Sequence, residues 1–544
     1  MSWSTAFRAA LRSGSMSYQV RVENSFVALS SAPGRIPGRG YITGAPTVTG
    51  QSLSLRSWKV SGGEMLVPIQ VPRAEVAAFR GEWEIGDRCS VRASVGSTGV
   101  SERIWFGRLL DVSVAPDGSG VVRILDAVAL TTAVQSAGWG TASLFTDAGE
   151  TSPAMWFAAI AVNSSMSSNY QRATKGYVDN PTLTFNPTTS GQNLALNSVS
   201  GYVLGYSFIS GADEGAVMVQ GAGAQQSVPY LLTYTGISSP NLTGTKLPGT
   251  VKITPPHYAL SPSDPVRHVS WVDGHAFDII RAVLQSSPAG TNGAFDVLPS
   301  NWGVAFDSAD IEQGDIAQWY GLLSEPATPR YTLAVMEQME DGMRPVWDWA
   351  AELGVWPVLR QGMLSLRAAA DPNDPGIAGL VAMQITDDHI LEYGAQMNRH
   401  PDSTHVVRNV LVAHSSVTTT TASSVDGSSN SISTSTSSGT PYGWPRSYST
   451  TLDLVKQIFH DVDDQRKDAG RRLAPWWQRF AGAAEVVLTG EALQMVAGDP
   501  VEVTSKVLTG PDGMTLNRTR GMWIPTGQDW GGRQVPGIVV FLRQ

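Results

Sequence analysis

Two stretches at opposite ends of this 544-residue chain carry the same order of features, and that duplication constrains the fold more than anything else in it. Near the N-terminus, "GDRCSV" (Gly86 to Val91) precedes "FGRLLDV", whose glycine is Gly107. Near the C-terminus, "GDPVEV" (Gly498 to Val503) precedes "RGMWIP", whose glycine is Gly521. The glycine-to-glycine intervals are 21 residues (86 to 107) and 23 residues (498 to 521). Each copy ends in an apolar strand, "VVRILDA" in the first and "GIVVFL" in the second. A Gly-Asp turn, an alternating strand, a glycine-led strand and a returning strand build much of a small antiparallel barrel. The resulting fold class is mainly β with an α+β middle section: two related small β-barrels plus an inserted β-rich domain.

The rest of the chain divides around that frame. Residues 1–135 read as an N-terminal helix, with Trp3, Phe7 and Leu11 spaced four apart, followed by the first barrel. Residues 136–260 are rich in Gly, Ser, Thr and Asn and read as a β-rich insertion. Residues 261–410 form an α+β middle: "AFDIIRAVLQS" and "PVWDWAAELGVWPVL" have helical periodicity, and "QGMLSLRA" reads as a strand. Residues 411–450 are a polar low-complexity hairpin or loop. Within it, "VDGS" is placed as the turn between two Ser/Thr arms of Ser415 to Gly439. Residues 451–544 hold a polar amphipathic helix, Leu452 to Leu473, and the second barrel.

Composition narrows the function. Charged residues are 16%, against ~25% in ordinary soluble domains, so the surface is neutral and rich in hydroxyl groups. Such a surface suits a β protein covered by neighbours. A net charge of −9 argues against a nucleic-acid-binding face but lets DNA slide past without sticking. The single cysteine, Cys89, excludes a disulfide framework and a cysteine-based zinc site. The apolar run Pro153 to Val162 is about half of the ~20 residues a membrane span needs, so no span is expected.

No constellation for chemistry emerges. Asp111 and Asp126 flank the "PDGSG" turn of one hairpin, which offers no cleft of the kind two glycosidase carboxyls need. "HDVDD" (His460 to Asp464) lacks a second histidine and is followed by cations. His257, His268 and His275 are too dispersed for a zinc site, and no H-E-x-x-H, G-x-S-x-G or P-loop occurs. Catalytic residues, cofactors and metals are therefore all expected to be none. The 17 tryptophans could form a sugar platform, but most lie in amphipathic patterns that favour core and interface use.

"WFGRLLDVSVAPDGSGVVRILDA" resembles the hairpin that follows a Gly-Asp-led strand in baseplate and tail-tip hub proteins of tailed bacteriophages. "VDGHAFDIIRAVLQSS", "GAFDVLPSNWGVAFDSADI" and "VWDWAAELGVWPVLRQGMLSLRA" resemble the middle of such proteins, and "GDPVEVTS" to "GIVVFL" their second barrel. The resemblance covers about half the chain and leaves the 136–260 insertion and Ser415 to Gly439 without counterparts. It implies a structural, non-enzymatic hub of the virion tail tip or baseplate, made in the host cytoplasm. It also implies a homotrimer whose two barrels per subunit form a pseudo-six-fold ring. Such a hub closes the tail lumen, joins tail-tube (distal tail), tape-measure and tail-fibre or tip proteins, and opens for genome ejection, with DNA only in transit. The residues expected at interfaces are Gly107, Asp117, Gly118, Gly510, Asp512, Gly513 and Gly521, and bulk at Gly107 or Gly521 is expected to disturb ring closure more than secondary structure. Two rival readings are a receptor- or carbohydrate-binding tail protein and a β-rich glycoside hydrolase.

Overall fold

The structure is a computed structural model. It describes residues 3–127 apart from 14, 23–27, 34–36 and 97–99, residues 344–397, and residues 479–542 apart from 511–513; between these blocks it describes separate strands and helices. Helix α1, Thr5–Ser13, turns Phe7 and Leu11 inward, both nearly inaccessible, with Trp3 just ahead of it. Seven strands of one sheet come next: β1 (Met16–Val22), β2 (Ala28–Ser30), β3 (Thr47–Thr49), β4 (Glu64–Gln70), β5 (Arg88–Val95), β6 (Ser101–Val114) and β7 (Ser119–Asp126). Alternation drives them: in β4, Met65, Val67 and Ile69 are buried while Leu66 and Pro68 are half-buried. The sheet order is β2-β1-β5-β6-β7-β4-β3.

The middle section contributes α2 (Gln313–Leu323), α3 (Arg344–Glu352), and a two-stranded hairpin of β8 (Val355–Arg360) and β9 (Met363–Ala368). The helical reading of "PVWDWAAELGVWPVL" needs correction in its second half. Gly354 adopts φ +66°, ending α3, and "VWPVLR" continues as β8. A left-handed glycine is the ordinary helix stop, and Val355, Trp356 and Pro357 beyond it pair with Ala368, Arg367 and Leu366.

Six strands complete the second repeat: β10 (Met383–Thr386), β11 (Ile390–Met397), β12 (Phe480–Thr489), β13 (Pro500–Thr509), β14 (Thr515–Pro525) and β16 (Gln534–Leu542), with a short β15 (Gly527–Asp529) between the last two. The long strands run β10-β13-β14-β16-β12-β11. The two repeats are one sheet, because β3 pairs antiparallel with β15 through Thr49↔Gly527, Val48↔Gln528 and Thr47↔Asp529. Buried side chains from both repeats, among them Val20, Val91, Trp105, Val503, Trp523 and Val539, form one apolar cluster.

A separate sheet joins Thr174–Tyr177, Asp213–Gln220, Pro265–Gly274 and Tyr331–Val335, and so takes strands from both sides of residue 260. Another joins Val407–Thr421 to Ser424–Thr434 antiparallel and to Trp444–Leu452 parallel. At one end of the antiparallel pair Thr421 faces Ser424. Asp426 and Gly427, expected to make the turn, instead pair with Thr418 and Val417 inside the strands. Polar arms without alternation specify register weakly, so turn residues alone do not fix it. The helix expected over Leu452 to Leu473 lies almost wholly outside the described residues; Leu452 ends a strand.

Candidate functional site

The two repeats match at the level of single hydrogen bonds. Gly86 and Gly498 both take left-handed backbone, φ +102° and +99°. The Gly86 N–H donates to Leu109 O and the Leu109 N–H to Asp87 O, at 2.8 and 2.9 Å. In the second copy the Gly498 N–H donates to Trp523 O and the Trp523 N–H to Asp499 O, again at 2.8 and 2.9 Å. Cys89 faces Gly107 and Val501 faces Gly521, so each strand glycine sits opposite the third residue after its turn glycine. The register slips just after Val91 in one copy and just after Val503 in the other, the fifth residue in both. Strand order agrees as well: β5-β6-β7-β4 in the first and β13-β14-β16-β12 in the second, all antiparallel.

Both strand glycines are buried because backbone occupies the space of their missing side chains. A Cβ on Gly107 would lie 1.6 Å from Leu125 O, and one on Gly521 would lie 2.7 Å from Val539 Cγ1 and 2.8 Å from Val540 O. Added bulk therefore strikes the residue's own sheet.

The hairpin tips are held locally. Asp117 accepts from the Ser119 N–H (3.0 Å) and hydroxyl (2.7 Å), which holds its exposed carboxyl below the usual range. Gly118 has φ +90°, and a Cβ there would meet Val71 O at 1.9 Å, so this glycine faces its own chain. Gly510, half-buried, donates to Met514 O at 2.7 Å. Asp512 and Gly513 lie outside the described residues.

Helix α1 covers the joint between the repeats. Trp3 packs edge-on to Phe7 (5.0 Å) and to Trp530 (5.9 Å), and its indole N–H donates to Arg103 O. Tyr18 donates to Trp530 O at 3.3 Å; burial is the main reason its phenol is pushed up to about 12.

A buried ion cluster then ties the middle section to the second repeat. Arg367, with no exposed side chain, lies 2.5 Å from Asp315 Oδ2 and 2.7 Å from Asp499 Oδ1. Asp315 also receives Arg360 and, at 2.5 Å, the Ser365 hydroxyl. Burial pushes the Asp315 carboxyl up, but Arg367, Arg360 and these hydrogen bonds outweigh it and hold the carboxyl below its ordinary value. Asp499 is the aspartate of the second Gly-Asp turn, so the repeat marker doubles as an anchor. Sequence reading missed this role; its one signal was an arginine inside the otherwise apolar strand "MLSLRA".

Asp111 and Asp126 are not a pair. Asp111 faces Arg123 while Asp126 faces Gly107, which puts them three rungs apart along the ladder, about 10 Å at the usual rise. Asp126 is buried and accepts from the Gly63 N–H at 2.9 Å. Nine tryptophans (3, 58, 105, 319, 347, 356, 476, 523 and 530) are buried, and none of the exposed large apolar side chains among the described residues is a tryptophan. The sugar platform of the carbohydrate-binding reading therefore loses these rings. No group of three His, Cys, Asp or Glu side chains suited to a metal ion occurs among the described residues, and no described helix is long and apolar enough to cross a membrane.

No protein-family model and no curated protein matches the chain. Among solved structures it is similar to the tail protein from Neisseria meningitidis MC58, at 9% identity and TM-score 0.33, covering 97% of this chain and 96% of that one. It is similar to the prophage MuSo2 tail protein from Shewanella oneidensis, at 10% identity and TM-score 0.34, covering 97% of each. A chain of the virion of a native gene transfer agent particle aligns over 46% of this chain and 78% of its own length, at 12% identity and TM-score 0.17.

Proposed function

We propose that the chain is a structural hub of a phage tail tip or baseplate, working as a trimer in which each subunit supplies two near-equivalent barrels to one ring. The observation that carries this reading is the repeated register, glycine by glycine, in two sheets joined edge to edge. Three subunits can meet a six-fold tube only by offering two similar faces each, and a heterologous contact between those faces closes a ring. The low charge content suits surfaces covered by neighbours.

In this reading each repeat rolls into a barrel. In the first, bridges from Leu29 to Arg39 and from Ile42 to Ile69 carry the edge at β2 back towards β4. In the second, the edge strands β10 and β11 are joined by only Asp387–His389, and Thr509 of β13 donates to Gln396 of β11 at 3.2 Å. The ring would close the tail lumen and hold tube, tape-measure and tip proteins, and its opening would pass the genome. An acidic chain lets DNA slip through. Native mass measurement tests the assembly: the expected species has three times the 58.0 kDa subunit mass. A monomer throughout, in solution and on tail assembly intermediates, would remove the reading.

A further inference from the structure

The repeat makes its two copies comparable position by position, and one position differs in a way that points to a ligand. Phe106 faces Ser90 in the first repeat; the matching pair in the second is Arg520 facing Glu502. Phe106 is fully buried, lying edge-on to Phe306 of the middle section (6.1 Å) with Arg103 over its ring (4.8 Å). Arg103 in turn is fixed to Asp310 at 2.6 Å. The chain thus caps this face of its first repeat itself.

On the second repeat the same face is an open cleft of about 790 Å³, lined by Asp371, Asp374, Arg479, Glu502, Arg518 and Arg520. Two of the three arginines already have carboxylate partners. Arg479 pairs with Asp371, and Arg518 with Glu502 at 3.0 Å. Asp374 turns its carboxyl to the Gly376 N–H at 2.8 Å. Arg520 is left with a 3.4 Å contact to the Asp374 carbonyl, and no carboxylate among the described residues reaches it. A guanidinium carries five N–H donors in a fork suited to a carboxylate, so most of Arg520 is unspent.

Backbone geometry adds a second pointer. Arg518 occupies the register slip of β14 with φ +51°, a conformation costly for a residue with a side chain. Its counterpart Ile104, three residues before the strand glycine, is not among the left-handed residues. Bulges of this kind re-aim side chains beside functional sites, and here the slip sends an arginine to the cleft.

We infer that this cleft receives a carboxylate-bearing segment of a partner protein, with Arg520 as its anchor. A protein segment fits better than nucleic acid, because Arg479 and Arg518 are already paired and the one remaining guanidinium fork suits a single carboxylate rather than the run of charges along a phosphate backbone. The site is a property of the folded chain, so its test does not depend on the hub reading or on ring assembly.

The test uses the full chain and a fluorescein-labelled Ser/Gly peptide bearing alternating Glu and Asp, read by anisotropy. Its Gln/Asn counterpart and a short DNA duplex serve as competitors. Saturable binding of the acidic peptide is expected, with none for the amide version. Arg520→Ala should weaken it about tenfold or more, the scale of a lost charge-assisted contact. Arg520→Lys should keep part of it, since charge survives but the fork does not. Arg73→Ala, an exposed arginine of the first repeat, should change nothing. Far-UV circular dichroism establishes that each variant is folded. Absence of acidic-peptide binding up to millimolar concentration, equal binding of the amide peptide, or binding unchanged in folded Arg520→Ala would overturn the inference. So would DNA competing in an Arg520-dependent way, which would make this a phosphate site.

Discussion

Single residues show how a marker in sequence becomes a constraint in structure. Gly107 has no room for a methyl group, since its missing Cβ would overlap the Leu125 carbonyl at 1.6 Å. Gly107→Ala should cost about 3 kcal/mol, the upper end for overpacking. Gly521→Ala, with contacts near 2.7 Å, should cost about 1–2 kcal/mol. Urea unfolding of the two variants measures both, and equal, negligible losses would contradict this packing. Asp126 matters through the Gly63 N–H it accepts: Asp126→Ala should lose about 1–3 kcal/mol by leaving that buried donor unpaired. Neither Asp126→Asn nor Asp111→Asn should alter any glycan-cleaving signal, because none is expected from the wild type. Polysaccharide or peptidoglycan cleavage by the pure protein would count against the non-enzymatic reading. Asp315→Asn should destabilise by about 3 kcal/mol, since Arg367 keeps Asp499 but loses one buried counter-charge. Because the folded Asp315 carboxyl is held below its unfolded value, its stabilisation is complete above ~3.9 and is lost as pH falls through the lower folded value. Melting curves from neutral pH downward should therefore show an acid-sensitive component that Asp315→Asn lacks.

At the scale of elements, the legible part of the sequence was what short-range chemistry dictates. The Gly-Asp turns, the strand glycines and the amphipathic N-terminal helix all stand where local patterns put them. Elements whose limits depend on distant partners were less legible. "VWPVLR" continues a helical rhythm past Gly354, yet it pairs as β8 with β9. The Arg367 cluster joins residues 52 and 132 positions apart, and no spacing in the chain announces such a meeting. The polar arms pair in a register that their Asp-Gly pair does not set, because alternation is missing. Those arms, Val407–Thr421, Ser424–Thr434 and Trp444–Leu452, pair only with one another among the described strands. Replacing 415–439 with a short Gly/Ser linker should leave the melting temperature within about 2–4 °C of wild type, the shift expected of at most ~1 kcal/mol in a large domain. Calorimetry decides it, and an insoluble deletion would show that the segment belongs to a core.

For the whole molecule, one continuous sheet and one apolar cluster run through both repeats, with α1 laid over their joint. The repeats should then unfold together as a cooperative unit, since separating them would expose Trp3, Phe7 and Trp530 to water. The same architecture fixes the angle between two similar faces, which a ring-forming subunit needs. The most direct measurement of the central claim is a cryo-EM reconstruction of the assembled oligomer or of the particle that carries it. Three copies around one axis are expected, with the sheets containing Gly107 and Gly521 alternating at nearly equal radius so that six similar units line the lumen. A map in which only one repeat reaches the axis, or in which the two lie at unrelated radii, would contradict it.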